Sequence, residues 1–234
     1  MINKGKNIVI EDNVKIGKNV VIGHNVVIKK DTIIGDNTTI KDCAIIGALP
    51  HKSKSSATTS NSGVKTVVIG KNCTVGYNAI IYRGADIKNN VFIADLASIR
   101  EDVVIDENTV IGKGSTIENK VEIGKNCRIQ SNVQIVPFSV IEDNVFISPG
   151  VMTSNDNYAG RTEKRFDEFK GVTIKRGARL GVASITLPGV TIGEDAFIGA
   201  GSIVTKDVPA RIIVYGAPSK IVREVPEEQL LDTQ

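Results

Sequence analysis

Asp95 and Glu101 stand six residues apart in the stretch IADLASIRED, where an otherwise regular six-residue pattern breaks. Leu96 occupies a place that elsewhere mostly holds Asn, Gly or Asp, and Arg100 and Glu101 crowd the next one. A carboxylate held in a cleft can orient an ammonium group and then accept its proton. Local rule-breaking on a regular scaffold often marks a site, so Asp95 ranks first and Glu101 second as catalytic groups, with Asn132 as a hydrogen-bonding partner. An ordinary solvated acid reads equally well at either position, since Glu107 and Asp143 hold equivalent places. Histidine, the commonest base, is nearly missing: His24 and His51 are both expected at the surface.

Something must hold these side chains, and the pattern itself says what. Isoleucine recurs at 22, 28, 34 and 40, a period too long for a flat strand and too short for a helical repeat unit. Aliphatic residues keep that step from Ile10 to Ile46, from Ile69 to Ile147 without one insertion, and, with Thr186 as the one exception, from Ile174 to Val204. Counting each aliphatic residue as the first slot of a hexad, the fifth slot of the long run holds only Ala, Val, Cys, Ser or Thr. A large inward residue alternating with a small one suits a narrow prism filled by stacked side chains. The fourth slot is mostly Asn, Gly or Asp, which tolerate a left-handed backbone at a tight corner. Each hexad is then one wall and one corner, three walls close a triangle, and the count predicts about nine triangular coils, all-β, with parallel strands bonded from coil to coil.

Composition agrees. The 234 residues are 41% hydrophobic yet only 4% aromatic with no Trp, as expected of a core of Ile and Val in one elongated domain. A net charge of +3 with interspersed acids and bases gives no reason to expect nucleic acid as a partner. The chain shows no signal peptide and no apolar run long enough to span a membrane, so a cytoplasmic location is the expectation. Cys73, Cys127 and Cys43 read as packing residues rather than a disulfide or zinc site. Two polar stretches interrupt the repeat, 48–68 and 153–173, and loops on a rigid scaffold are common places for binding residues. The second offers Asn155, Asp156, Tyr158 and Arg161 for substrate binding.

The hexads resemble those of the hexapeptide-repeat acyltransferases, and this resemblance covers nearly the whole chain. It implies a left-handed parallel β-helix over 1–208 with loops at 48–68 and 153–173, followed by a C-terminal tail over 209–234 that contacts coenzyme and caps the coils. It also implies an acyl-CoA cosubstrate, no metal, and three prisms packed into a homotrimer with sites between subunits. The stretch GARLGVASITLPGVTIGEDAFIGAGSIVTKDVPARIIVYGAPSKIVR is similar to the coenzyme-A-binding end of these enzymes. On that resemblance Val182, Ala183, Gly199 and Ala200 line the pantetheine arm, and Lys206, Lys220 and Arg223 meet the phosphates.

RIQSNVQIVPFSVIEDNVFISPGVMTSNDNY resembles the matching part of nucleotide-linked amino-sugar N-acetyltransferases, with Gln130, Ser131, Asn132, Val145, Phe146, Ser154 and Asn155 in the corresponding places. Ser131 departs from the Asn usual there. Scarce His favours an amine acceptor, since nitrogen attacks a thioester without prior deprotonation and a hydroxyl wants a base. It also excludes a γ-class carbonic anhydrase, which needs three zinc-binding His. The implied activity is acetyl transfer to the amine of a dTDP-linked amino-deoxysugar, with Asn155 and Asp156 fixing the sugar. An O-acyltransferase acting on a sugar or amino acid, or a non-catalytic β-helix, are the alternatives. MINKGKNIVI runs straight into hexads, so no separate nucleotide-binding domain is expected before them.

Overall fold

A computed structural model describes residues 3–54, 56–59 and 65–233. The chain coils through three sheets of twelve, ten and nine strands, and from the fourth strand to the twenty-ninth each bonds to the one three strands earlier. Between coils the pairing is parallel and, apart from a shift at Ile81/Tyr82, in register, as in Phe92–Ile93 against Thr74–Val75 and Val110–Ile111. The first-slot residues fall inward and stack, with Ile40, Ile81, Ile99, Ile111 and Ile135 all fully buried. Among the described residues, no helix is long and apolar enough to cross a membrane.

Corners come where the fourth slots lie. Asn19 (φ 54°), Asn72 (φ 56°) and Asn132 (φ 56°) turn in the left-handed region, and so do Leu96 (φ 61°) and Phe138 (φ 67°). That conformation costs an ordinary L-residue about 1–2 kcal/mol, which Asn largely avoids through its short polar side chain. Leu96 and Phe138 therefore carry a local strain that the neighbouring coils hold in place. Asn side chains also run as a ladder along one edge, Asn19 to Asn37 to Asn72 to Asn90, at 3.1–3.2 Å per step.

The third slot has its own rule. Asp42 Oδ1 accepts the His24 amide at 2.7 Å, Asn89 Oδ1 the Lys71 amide at 2.9 Å, and Asp143 Oδ1 the Lys125 amide at 2.8 Å. Each is a staple from one coil to the next, 18 residues apart in sequence. Asp95 obeys it too, taking the Tyr77 amide on Oδ1 at 3.0 Å.

The coil count is higher than the expected nine. Extra walls are supplied by Asn3–Lys4, Met152–Thr153 and Ile212–Tyr215. The first two put Lys4 and Thr153 where an aliphatic residue was sought, and the third lies out of step after an insertion following Val204. Lys220–Glu224 then folds back antiparallel on Ile212–Tyr215 and closes the end of the twelve-stranded sheet. Cys73 and Cys127 are buried as expected, whereas Cys43 turns an exposed corner at φ 61°.

The faces of the prism differ. Outward residues of the ten-stranded sheet run Val9, Val27, Ile45, Ile80, Ser98, Thr116, Gln134, Met152, Ile185, Ile203, without one charge. The other two faces carry Arg128 and Arg179, and Lys15, Asp86 and Glu122.

If Asp95 is a staple like the others, Asp42→Ala and Asp95→Ala lose one coil-to-coil bond each. Matched drops of about 1 kcal/mol in unfolding free energy are expected from denaturant titration. A much larger loss at 95 alone would show that its carboxylate has a further partner.

Candidate functional site

Both long insertions leave the prism along one edge. The chain departs from the ten-stranded sheet at Ile45–Ala48 and at Met152–Thr153, and re-enters the nine-stranded sheet at Val68–Ile69 and Thr173–Ile174. On successive coils between them, the same edge carries Arg100 and Glu101, then Glu118 and Asn119, then Val136 and Pro137. The first loop folds down over these coils: Asn119 Nδ2 donates to the Thr58 carbonyl at 2.7 Å and Arg100 Nη2 to Thr59 Oγ1 at 3.4 Å.

The second loop builds its own small core. Arg165 stacks on Phe166 and Phe169, 4.6 and 5.8 Å from the ring centroids, and the Tyr158 hydroxyl donates to Glu168 Oε2 at 2.6 Å. Asp156 ties the loop together, accepting the Tyr158 and Gly160 amides at 2.8 and 2.9 Å and pairing with Arg165 at 3.2 Å. Partial burial pushes its pKa up, but the Gly160, Tyr158 and Arg165 bonds outweigh that and leave it lowered.

Between the loops lies a cavity of about 330 Å³. Ala57 and Thr58 bound it from the first loop, Asn155, Asp156, Arg165 and Phe169 from the second, and Glu118, Gln134, Val136 and Pro137 from the coils. It has two acids: Asp156, paired with Arg165, and Glu118, whose side chain is 24% exposed. Burial raises the Glu118 pKa; Arg100 opposes this and Glu101 adds to it.

The residues singled out in the sequence do not converge within one subunit. Asn155 and Asp156 line the cavity, whereas Tyr158 and Arg161 do not. Tyr158 is committed to Glu168, and Arg161 is exposed. Glu101 is on the right edge but is 1% exposed and clasped by Arg100 at 2.9 and 3.3 Å, so it cannot itself touch a substrate. Asp95 and Asn132 lie on the opposite edge of the ten-stranded sheet, where Asn132 is an exposed corner.

Val182, Ala183 and Ala200 lie on that opposite edge and are exposed there. Gly199 is covered: an added Cβ would come within 1.9 Å of the Tyr215 ring, so Tyr215 already fills the space its missing side chain leaves. Lys206 turns the same edge as the two loops, and Lys220 and Arg223 stand exposed on the terminal strand. Glu118 escaped sequence reading because it follows Ile117 in an unremarkable hexad. Only the packing of Thr58 and Asn155 from distant insertions makes it special.

The bacterial transferase hexapeptide family (six repeats) matches residues 13–48, 84–119 and 120–155, and the hexapeptide repeat of succinyl-transferase matches 66–94 and 171–206. The chain belongs to the hexapeptide-repeat transferases. The galactoside O-acetyltransferase of Escherichia coli (strain K12) is 44% identical over 54 residues, 23% of this chain and 27% of that protein. The serine acetyltransferase of Buchnera aphidicola is 39% identical over 85 residues, 34% and 31% of the two chains. Such matches span well under half the length of the curated relatives. In fold, the chain is similar to the UDP-N-acetylglucosamine acyltransferase of Francisella novicida, with a TM-score of 0.53, 21% identity, and coverage of 96% of this chain and 70% of the other.

One consequence is measurable by titration. Because the folded pKa of Asp156 is depressed, its bonds to the loop amides persist through the ordinary carboxylate range and are lost only as pH falls through that lower value. Amide-proton shifts of Tyr158 and Gly160 should therefore titrate together, with a midpoint below that of an unpaired aspartate. A midpoint at the ordinary value would contradict the clasp.

Proposed function

We propose that this protein transfers an acyl group, in the simplest case acetyl, from acyl-CoA to the amino group of a nucleotide-linked amino-deoxysugar. The observation that carries the reading is the cavity between the loops: its described lining holds two partly buried carboxylates, Glu118 and Asp156, and no imidazole. Arg165 neutralises Asp156, and Arg100 is shared by Glu101 and Glu118, so the two carboxylates outnumber the guanidinium. A site with one uncompensated negative charge complements an ammonium group better than a neutral hydroxyl. Asn155 and Gln134 offer amide groups to sugar hydroxyls at the same rim.

Acyl-CoA is the donor on the family's account, and coenzyme-bound relatives include a galactoside acetyltransferase in complex with coenzyme A. In this chain the small-residue edge at Val182, Ala183 and Ala200 leaves room for an extended pantetheine arm against the coil backbone. That edge and the loop cavity border opposite sides of the uncharged ten-stranded face. One prism alone cannot bring thioester and acceptor together, because a wall of six residues separates them by roughly 15 Å or more. Three prisms turning this uncharged face toward a common axis would set the small-residue edge of each against the loop edge of the next. Lys206, on the loop edge, would then reach a coenzyme phosphate held mainly by the neighbour, with Lys220 and Arg223 at the tail. The reading thus includes a homotrimer with three sites between subunits.

Thiol release from acetyl-CoA should be followed with a panel of amino- and hydroxy-sugar nucleotides and free amino acids. Turnover of amino-sugar nucleotides is expected. Turnover confined to hydroxyl acceptors would favour the second reading, O-acetylation, which the galactoside and serine acetyltransferase relatives support.

Light scattering should return three times the 25.1 kDa chain mass. Ile185→Glu, which plants a charge on the uncharged face, should shift the protein toward monomer and abolish turnover together. A monomeric, active parent protein would refute the between-subunit site.

A further inference from the structure

Arg100 faces two acids on neighbouring coils of the loop edge. It grips Glu101 through Nε and Nη2 and reaches Glu118 Oε2 from Nη1 at 3.7 Å, while its guanidinium lies 4.8 Å over the Tyr82 ring. The bidentate bond belongs to Glu101, which is sealed from solvent; the longer contact leaves Glu118 only loosely held. Of the two carboxylates, Glu118 alone lines the cavity. The other charged groups there are Asp156 and Arg165 on the second loop, which neutralise each other at 3.2 Å. The first loop contributes the uncharged Ala57 and Thr58.

We propose that Glu118 is the catalytic base of this site, and that Glu101 and Arg100 are positioning residues which set how readily it takes a proton. The inference rests on the acyl-transfer reading above. The ammonium of the acceptor gives a proton to the Glu118 carboxylate and becomes a neutral amine. Its nitrogen forms a bond to the thioester carbon, and the carbon–sulfur bond breaks. The thiolate of coenzyme A leaves and takes the second nitrogen-bound proton, and Glu118 then releases its own proton to solvent. Two features suit Glu118 to this work. It is left with unsatisfied negative charge that an incoming ammonium would complete, and partial burial makes its carboxylate a stronger base than a solvated one.

Glu118→Gln keeps the shape and removes the base. For the folded, assembled protein, kcat/KM should fall about 10²- to 10⁴-fold. The acid limb of the wild-type pH profile, placed above the ordinary glutamate range by the raised pKa, should vanish in the variant. Glu101→Gln removes the neighbouring negative charge and frees Arg100 for Glu118, so the acid limb should move to lower pH. A purely structural role for Glu101 would leave the limb where it was. Glu107→Gln, an acid on another edge bonded to Asn89, serves as the control.

If the wild type acylates amines and Glu118→Gln stays within a few-fold with an unmoved acid limb, the base assignment is wrong and the acyl-transfer reading stands. If only hydroxyl acceptors turn over, the amine reading fails, and the same variants decide on that substrate whether Glu118 is the base. Failure of the wild type to acylate any acceptor overturns both.

Discussion

A left-handed turn every sixth residue is the constraint on which the rest of this molecule depends. It bends the chain by the same amount at each fourth slot, so that inward residues fall over one another and strands meet in parallel register from coil to coil. Asn and Gly occupy most of these slots because they bear that conformation at least cost. Where Leu96 and Phe138 sit there instead, the amide ladders of the coils on either side hold the turn.

Once the corners are fixed, chemistry can only be placed on the outside. The interior is filled by isoleucine, so a pocket must be assembled from edge residues and whatever is thrown off the edge. Here both insertions leave along the same edge, and residues far apart in sequence, Thr58, Glu118 and Asn155, come to share one cavity. The two carboxylates and single guanidinium beneath it give that cavity an electrostatic character that neither loop has alone.

Much of this was legible in the sequence, and the limits have physical causes. Period six with alternating large and small inward residues gives the prism, its corners and both loops directly. The walls at Asn3–Lys4 and Met152–Thr153 were missed because Lys4 and Thr153 fill slots identified by aliphatic side chains. Asp95 drew notice for its neighbour Leu96, yet its carboxylate makes the same bond to the preceding coil as Asp42 and Asp143. Asn155 and Asp156 were found because a loop interrupting a repeat advertises itself. Glu118 was not, because its environment is created by side chains whose approach no spacing rule encodes. Gly199 shows the converse: smallness suggested an open path, and the Tyr215 ring turned out to occupy it.

The first loop has a mechanical meaning as well. In a stack of coils each layer touches only its neighbours, so such a chain melts like a row of weakly linked units and can fray from either end. The segment that leaves at Ala48 bonds to Arg100 and Asn119, partners 41 and 61 residues removed from Thr59 and Thr58. That strap bypasses the layer-by-layer order and binds a block of coils into one cooperative unit. Fraying should stop at its borders, which keeps the floor of the cavity rigid while the terminal coils breathe.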